Sequence, residues 1–441
     1  MSVWDPWHKQ TSNQSKKKLE NETKKMRVGI DAHKKNCTTC VFADGAGVGE
    51  SPIDSFVFKT SRAGVSELLA RIPERSVFVI ESSTTGKAIT RMISLTSRNN
   101  HEIHMVAPPE KKPSIKTDKR DSERIIKEDM LGYLRRCYVP SQYIEDMRFL
   151  VATQIEIGTK ISRVKNQVQS LLERNMVQSE FAELSDVFGI EGLQKLSEIE
   201  LPRQDRTALA MYLKELGLYM AQHAQIESEI AKTATTDQDC QLLFSHPGIS
   251  SFTAVAIKSR IGDDASRFPT KKHLCSYAGV VPGADNSGER ESHHGHVKHG
   301  DAILKYALTC AARGAVRAKT DSTVKRIYLR QVRRGKSAQE AEVAAARKLA
   351  CIIWKILTSK QRYVEEDKYL TARKAKQASS DAERVVKDAV LPESVPELAQ
   401  DLSSYVSVLK ESPEELDRMR KRRHNHGRNS AEGHTNWSDL K

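Results

Sequence analysis

The sequence predicts a mixed α/β sheet domain, then a long coiled-coil helical connector, then a mostly helical second half: α/β plus all-α. Three observations predict it. Between about residues 27 and 106, short apolar runs of strand length alternate with stretches of helical spacing. Residues 144 to 176 repeat apolar positions at intervals of three and four. Beyond about residue 240, apolar positions again follow helical spacing, broken by one Gly-rich and His-rich stretch.

The elements follow in order. Residues 1–25 are polar and Lys-rich, ending in Lys16-Lys17-Lys18 and Lys24-Lys25, and read as a disordered basic arm. Strands are expected from Arg27 to Asp31, Asn36 to Phe42 and Phe56 to Phe58. A helix from Ser61 to Ile72 runs through Val65, Leu68, Leu69 and Ile72. Then come a strand from Val77 to Glu81, a helix from Gly86 to Leu95, a strand from Ile103 to Val106 and a helix from Asp118 to Leu134. Three strands followed by alternating helices and strands make a mixed sheet over residues 26–140, in an order similar to the ribonuclease-H-like fold.

Residues 141–235 form the connector. Met147, Leu150, Gln154, Ile157, Ile161, Val164, Val168 and Leu171 make a heptad seam. A second helical stretch, Arg206 to Lys232, could fold back on it. The seam closes either within one chain or between two, and its length of about four heptads favours a dimer or tetramer. Residues 236–362 hold helices from Phe252 to Ile261, Ala302 to Ala318, Thr323 to Arg334 and Ala338 to Leu357, and 363–441 read as a polar tail.

Composition limits the partners. The 441 residues carry a net charge of +14, a balance that favours a polyanion. Mean hydropathy is −0.55, no apolar stretch approaches the roughly 18 residues of a membrane span, and the N-terminus lacks a signal-peptide core. A cytoplasmic protein is expected. Seven scattered cysteines argue against a disulfide framework, and Cys37-Thr38-Thr39-Cys40 reads as a pair of packed, reduced cysteines inside a strand rather than a zinc site.

Four carboxylates carry the chemistry. Asp31 and Glu81 close two apolar runs, and Asp118 and Asp121 stand three residues apart on a helix. Two strand-end carboxylates and two on one helix face suit a pair of hard divalent cations, and such pairs promote in-line displacement at phosphodiesters. Ser287, between Asn286 and Gly288, is a candidate nucleophile, although Asn-Ser-Gly is also a common turn. His293, His294, His296 and His299 lack acidic or cysteine partners nearby in sequence and read as phosphate contacts rather than a metal site. The turn His246-Pro247-Gly248-Ile249 resembles a helix-hairpin-helix, whose amides can hold a phosphate; it is equally ordinary punctuation between helices.

Gly29-Ile30-Asp31-Ala32-His33-Lys34-Lys35, the Glu81 strand end and Lys116-Thr117-Asp118 with Asp121 resemble the RuvC-like domain of the DEDD insertion-sequence transposases of the IS110 family and of the related Piv invertase. Later pieces resemble that family's carboxyl-terminal transposase domain: His246 to Ile249, Tyr277 to Pro282, Ser287-Gly288, Gly300-Asp301 and Arg347 to Ala350. The resemblance implies an enzyme that excises and inserts its own element, acting on donor and target DNA chosen by a non-coding bridge RNA. It implies Mg²⁺, two ions, held by Asp31, Glu81, Asp118 and Asp121, with Ser287 as nucleophile forming a transient phosphoserine bond. Lys116, Arg120, Arg124, Gly248, Arg290, Lys298, His299, Arg347 and Lys348 are the expected nucleic-acid contacts. The host is expected to be a bacterium or archaeon, with the protein at the nucleoid. A RuvC-type nuclease using water, or a nucleic-acid-binding protein without activity, are the competing readings.

Overall fold

A computed structural model describes residues 25–96, 100–107, 118–287, 290–297 and 300–383, and the chain divides into two compact units, Met1–Gln142 and Tyr143–Lys441. Each is described by itself.

In the first unit, six strands lie in the order β3-β2-β1-β4-β5-β6. Strand β1 (Met26–Ala32) pairs antiparallel with β2 (Asn36–Ala43), which pairs antiparallel with β3 (Asp54–Lys59). On its other side β1 runs parallel to β4 (Val77–Glu81), and β4 parallel to β5 (Glu102–Val106). The short β6 (Arg136–Cys137) adds an antiparallel edge that the sequence patterning does not announce.

Alternation along the strands sorts side chains to two faces. Val28, Ile30, Phe78 and Ile80 join Val65 and Leu68 of α1 (Arg62–Arg71) and Ile89 and Ile93 of α2 (Thr84–Thr96). On the opposite face Val77 and Val79 meet Ile125, and Cys40 and Phe42 meet Ile126, both from α3 (Asp118–Met130). The result is a three-layer sandwich with two helices on one face and one on the other. Cys37 and Cys40 fall on opposite faces, three residues apart in one strand, so they pack as separate core thiols.

The second unit is mostly helical. Helix α4 (Gln142–Arg174) carries the heptad seam, and α5 (Ile190–Glu198) and α6 (Arg203–Thr236) follow. The seam length favours oligomerisation in the sequence, but the chain covers the seam itself. Val164, Val168 and Leu171 pack with Leu209, Leu213 and Leu216, while Ile144, Met147 and Val151 join a larger core with Ile230 and Ile257. Three cross-contacts set the direction: Tyr143 Oη donates to Asp237 at 3.2 Å, Lys160 lies 5.7 Å from the Tyr219 ring, and Asn175 donates to Asp205 at 3.0 Å. As one partner advances, the other retreats, so α4 and α6 form an antiparallel hairpin.

The rest builds on that larger core: α7 (Gln238–Leu243), α8 (Ser251–Ile261), α9 (Lys271–Tyr277), α10 (Ala302–Arg317), α11 (Thr323–Arg333) and α12 (Ala338–Ser359). The Gly-rich and His-rich stretch, read as a loop from sequence, is a two-stranded antiparallel sheet of β7 (Pro282–Ser287) and β8 (Arg290–Val297). Within the expected polar tail, α13 (Lys368–Glu383) is a helix that buries Thr371 and Ala378. No helix among the described residues is long and apolar enough to cross a membrane.

Candidate active site

The period of the strands puts Asp31 and Glu81 on one face. Asp31 follows Gly29 by two residues, and Glu81 follows Val79 by two; both therefore lie on the face that α3 covers. The parallel register pairs Ile30 with Ile80, so the next position on each strand is a carboxylate. Two acidic residues thus end neighbouring parallel strands side by side.

Helix α3 runs antiparallel to β1. Its Ser122 meets the strand near Gly29: a Cβ built there would lie 2.4 Å from the Ser122 carbonyl oxygen, and Ser122 Oγ donates to Cys40 Sγ at 3.1 Å, opposite Gly29. Seven residues later Asp129 lies 3.7 Å from Arg27, at the start of the strand. The first turn of α3, with Asp118 and Asp121, therefore lies at the strand end that carries Asp31 and Glu81. Asp118 is placed by its backbone alone. Helical spacing puts it on the same side as Asp121.

Local bonds hold these carboxylates. Asp31 Oδ2 lies 3.1 Å from His33 Nε2, and the His33 carbonyl accepts from Thr60 Oγ1 at 2.7 Å, fixing the chain just past the strand. After Glu81 the backbone turns sharply: Ser82 N donates to Val106 O at 2.8 Å, and Gly86 N donates to Ser83 Oγ at 2.9 Å. A Cβ at Gly86 would lie 2.1 Å from Glu81 O, so only glycine permits that turn. Arg124 spans Asp121 (3.6 Å) and Glu128 (3.0 Å) along α3. Arg120 is exposed on the same helix. Lys116 lies outside the described residues.

Oxygen donors of this kind suit a hard divalent cation. Among the described residues, no three His, Cys, Asp or Glu side chains are close enough to hold one ion. Asp31, Glu81 and the first turn of α3 are brought to one end of the sheet.

At the far end of the same sheet, Asp129 is buried among His104 (2.9 Å), Arg136 (3.1 Å) and Arg27. His104 also holds Glu102 at 2.7 Å, and that bond lowers the Glu102 carboxyl below its ordinary range. This network anchors α3 to the strands from below.

In the second unit, Ser287 ends β7 and pairs with Arg290 across the hairpin turn. The neck of the hairpin is fixed. Asp301 N donates to Tyr277 O at 2.8 Å, and a Cβ at Gly300 would lie 2.3 Å from the Gly279 nitrogen. Asp301 then caps α10, accepting from Leu304 N at 2.8 Å. His293 and His294 lie on β8 opposite Ala284 and Gly283, and His296 lies on the same strand. Lys298 and His299 lie outside the described residues.

The His246 turn packs inward. Gly248 N donates to His246 Nδ1 at 3.3 Å, and a Cβ on Gly248 would lie 2.0 Å from Ala311 O. The amide expected to hold a phosphate is thus engaged within its own turn, and the glycine serves close packing on α10. Arg347 is exposed and Lys348 half-buried on α12. An open groove of about 600 Å³ along α4 is lined by Thr159, Ser162, Arg163, Asn166, Gln167, Ser170 and Arg174 with Tyr212 of α6. These are side-chain types that contact DNA phosphates.

Comparison with known proteins gives two matches, the first of which runs past the sheet unit through α4. A DEDD transposase model of the IS110 group matches residues 28–177, and the transposase IS116/IS110/IS902 family model matches residues 240–328. The two matches fall in order along the chain. The chain belongs to the IS110 family of DEDD transposases.

Relatives agree. The chain is 26% identical over 271 residues to the transposase for insertion sequence element IS1111A of Coxiella burnetii, covering 59% of this chain and 72% of that one. It is 26% identical over 274 residues to a Pseudomonas aeruginosa protein named "Probable family 20 transposase", covering 60% and 79%. The IS110-family chain is a DNA transposase, and its first family match contains Asp31, Glu81, Asp118 and Asp121, while its second contains Ser287. Sequence reading gave no role to His33. Its spacing of two from Asp31 across a strand end is the signal that could have found it.

Proposed function

We propose that this transposase cuts and rejoins DNA through a phosphoserine intermediate. Asp31, Glu81, Asp118 and Asp121 would hold the divalent ions, expected to be a pair of Mg²⁺, and Ser287 is the nucleophile. The observation that carries the reading is the meeting of two strand-end carboxylates with the first turn of the helix bearing the other two.

A bound divalent cation supplies charge stabilisation at the phosphodiester. The remaining steps belong to the chain. Ser287 Oγ attacks the scissile phosphorus, its proton passes to a base, and a deoxyribose oxygen leaves. Reversal by another DNA end reseals the strand and frees the serine, conserving the bond without ATP. One of His293, His294, His296 and His299 protonates the leaving oxygen. His33 orients Asp31 from 3.1 Å. A non-coding RNA selects donor and target DNA, and assembled protomers complete the site. With the heptad seam buried in its own chain, that assembly uses other surfaces.

The test is a cleavage reaction on the element's own ends, resolved on a denaturing gel. A covalent DNA–protein adduct is expected with the natural chain, none with Ser287→Ala, and neither adduct nor cleavage with Asp31→Asn. Free ends with no adduct, unchanged in Ser287→Ala, would replace the serine reading with hydrolysis by water.

A further inference from the structure

Two of the seven cysteines lie together. Cys275 on α9 and Cys351 on α12 bring their sulfurs to 3.6 Å across 76 residues of chain. Both helices are firmly placed. Leu274, Leu349 and Ala350 are in the core, and Trp354 Nε1 donates to Phe268 O at 2.9 Å, fastening the segment before α9 to α12. Cys275 is 2% exposed, whereas Cys351 is half-buried. Neither thiol takes part in the chemistry proposed for the acidic residues and Ser287.

The surroundings are cationic. The Cys275 thiol beside it, helped by Lys271, Lys348 and Arg347, holds Cys351 down to about 6 despite burial. The same pairing, with burial, pushes Cys275 up. Of the two sulfurs, the partly accessible one beside the cations is favoured as thiolate, and the buried one as its protonated neighbour. That is the division of labour found in a reactive and a resolving thiol. Cys37 and Cys40 contrast with it, pointing to opposite faces of a sheet.

We propose that Cys275 and Cys351 form a peroxide-reactive dithiol that closes to an intramolecular disulfide, tying the root of the Ser287 hairpin to α12. The Cys351 thiolate attacks one oxygen of a hydroperoxide, the O–O bond breaks, and the departing oxygen takes a proton to leave as water, or as an alcohol from an alkyl hydroperoxide. Cys351 is then a sulfenic acid. The Cys275 sulfur attacks the Cys351 sulfur, the S–O bond breaks, and the hydroxide leaves as water with the Cys275 proton. Two thiols are oxidised to one disulfide, and one hydrogen peroxide is reduced to two waters. A disulfide spans about 2.05 Å, so the sulfurs need close by only about 1.5 Å. Because α9 leads directly into β7, the bond fastens one side of the hairpin neck.

The test uses the full chain, reduced, treated with hydrogen peroxide at equimolar to tenfold dose, then blocked with N-ethylmaleimide and digested. The seven alkylated thiols are expected to fall by two, with a Cys275–Cys351 linked peptide that disappears on reduction. In Cys275→Ser, dimedone is expected to trap Cys351 as a sulfenic acid; in Cys351→Ser, Cys275 is expected to stay alkylated at the same dose. Thermal melts of the reduced variants check folding. All seven thiols still alkylated, Cys137 or Cys310 oxidised first, or Cys351 passing to sulfinic acid without a linked peptide would each overturn the proposal. None of these readouts depends on transposition, so failure here leaves the catalytic reading intact.

Discussion

A single hydrogen separates a workable site from a displaced one at Gly29. Any β-carbon there would press on the backbone of Ser122 at 2.4 Å, a contact that no rotamer change relieves. Gly29→Ala is expected to cost about 1–3 kcal/mol in urea unfolding and to lower DNA cleavage, because it lifts the helix that carries Asp121. His246 makes a different demand. It is fully buried, its Nε2 has no hydrogen-bond partner among the described residues, and burial, then the nearby Lys374, pulls it down to about 3. Lys374 donates to the carbonyls of His246 and Ile249 at 2.7 and 3.1 Å, and burial lowers it to about 8. The folded chain therefore keeps His246 neutral while the unfolded chain binds a proton below its ordinary 6.5. Stability is fully present above that value and falls as pH drops through the window down to about 3. Chemical denaturation at pH 7 and 5 is expected to show about 2 kcal/mol more loss in the natural chain than in His246→Asn.

At the scale of elements, the heptad stripe carries the main lesson. Its period was legible from residue 144 onward, and the helix is there, but periodicity reports only that an apolar stripe needs cover. It says nothing of who supplies it. Leu209, Leu213 and Leu216 supply it from the same chain. Leu216→Ala is expected to lower stability by about 2–4 kcal/mol without changing the molar mass seen by light scattering. A change of mass would reassign the seam to an interface between copies. The β7–β8 hairpin shows the opposite case. Gly283, Asp285, Asn286 and Ser287 are turn-forming residues, and histidines blur the alternation of β8, so local propensity reads as loop. Cross-strand pairing from Pro282–Val297 to Ser287–Arg290 overrides it.

At the scale of the whole molecule, charge is the quantity that matters to DNA. With 71 Lys and Arg against 57 Asp and Glu, the chain carries an excess of +14. Binding to duplex DNA is expected to weaken by roughly tenfold or more between 50 and 200 mM salt, through release of counterions. Fluorescence anisotropy at several salt concentrations checks this; a flat log–log plot would exclude backbone contacts as the main source of affinity. The division into two compact units also assigns the two halves of the proposed chemistry. The acidic residues belong to the sheet unit and Ser287 to the helical one.

The sequence by itself determined the five strands between Arg27 and Val106 and the positions of Asp31 and Glu81 at strand ends. It also determined most of the longer helices and the family, because periodicity and motif order are local properties of the chain. Tertiary structure decided the rest. The antiparallel run of α3 brings Asp121 to the strand ends, α6 closes the heptad seam, and the fold joins Cys275 to Cys351 across 76 residues. Each depends on which buried surface covers which, a choice made by packing between distant segments and left unspecified by local spacing.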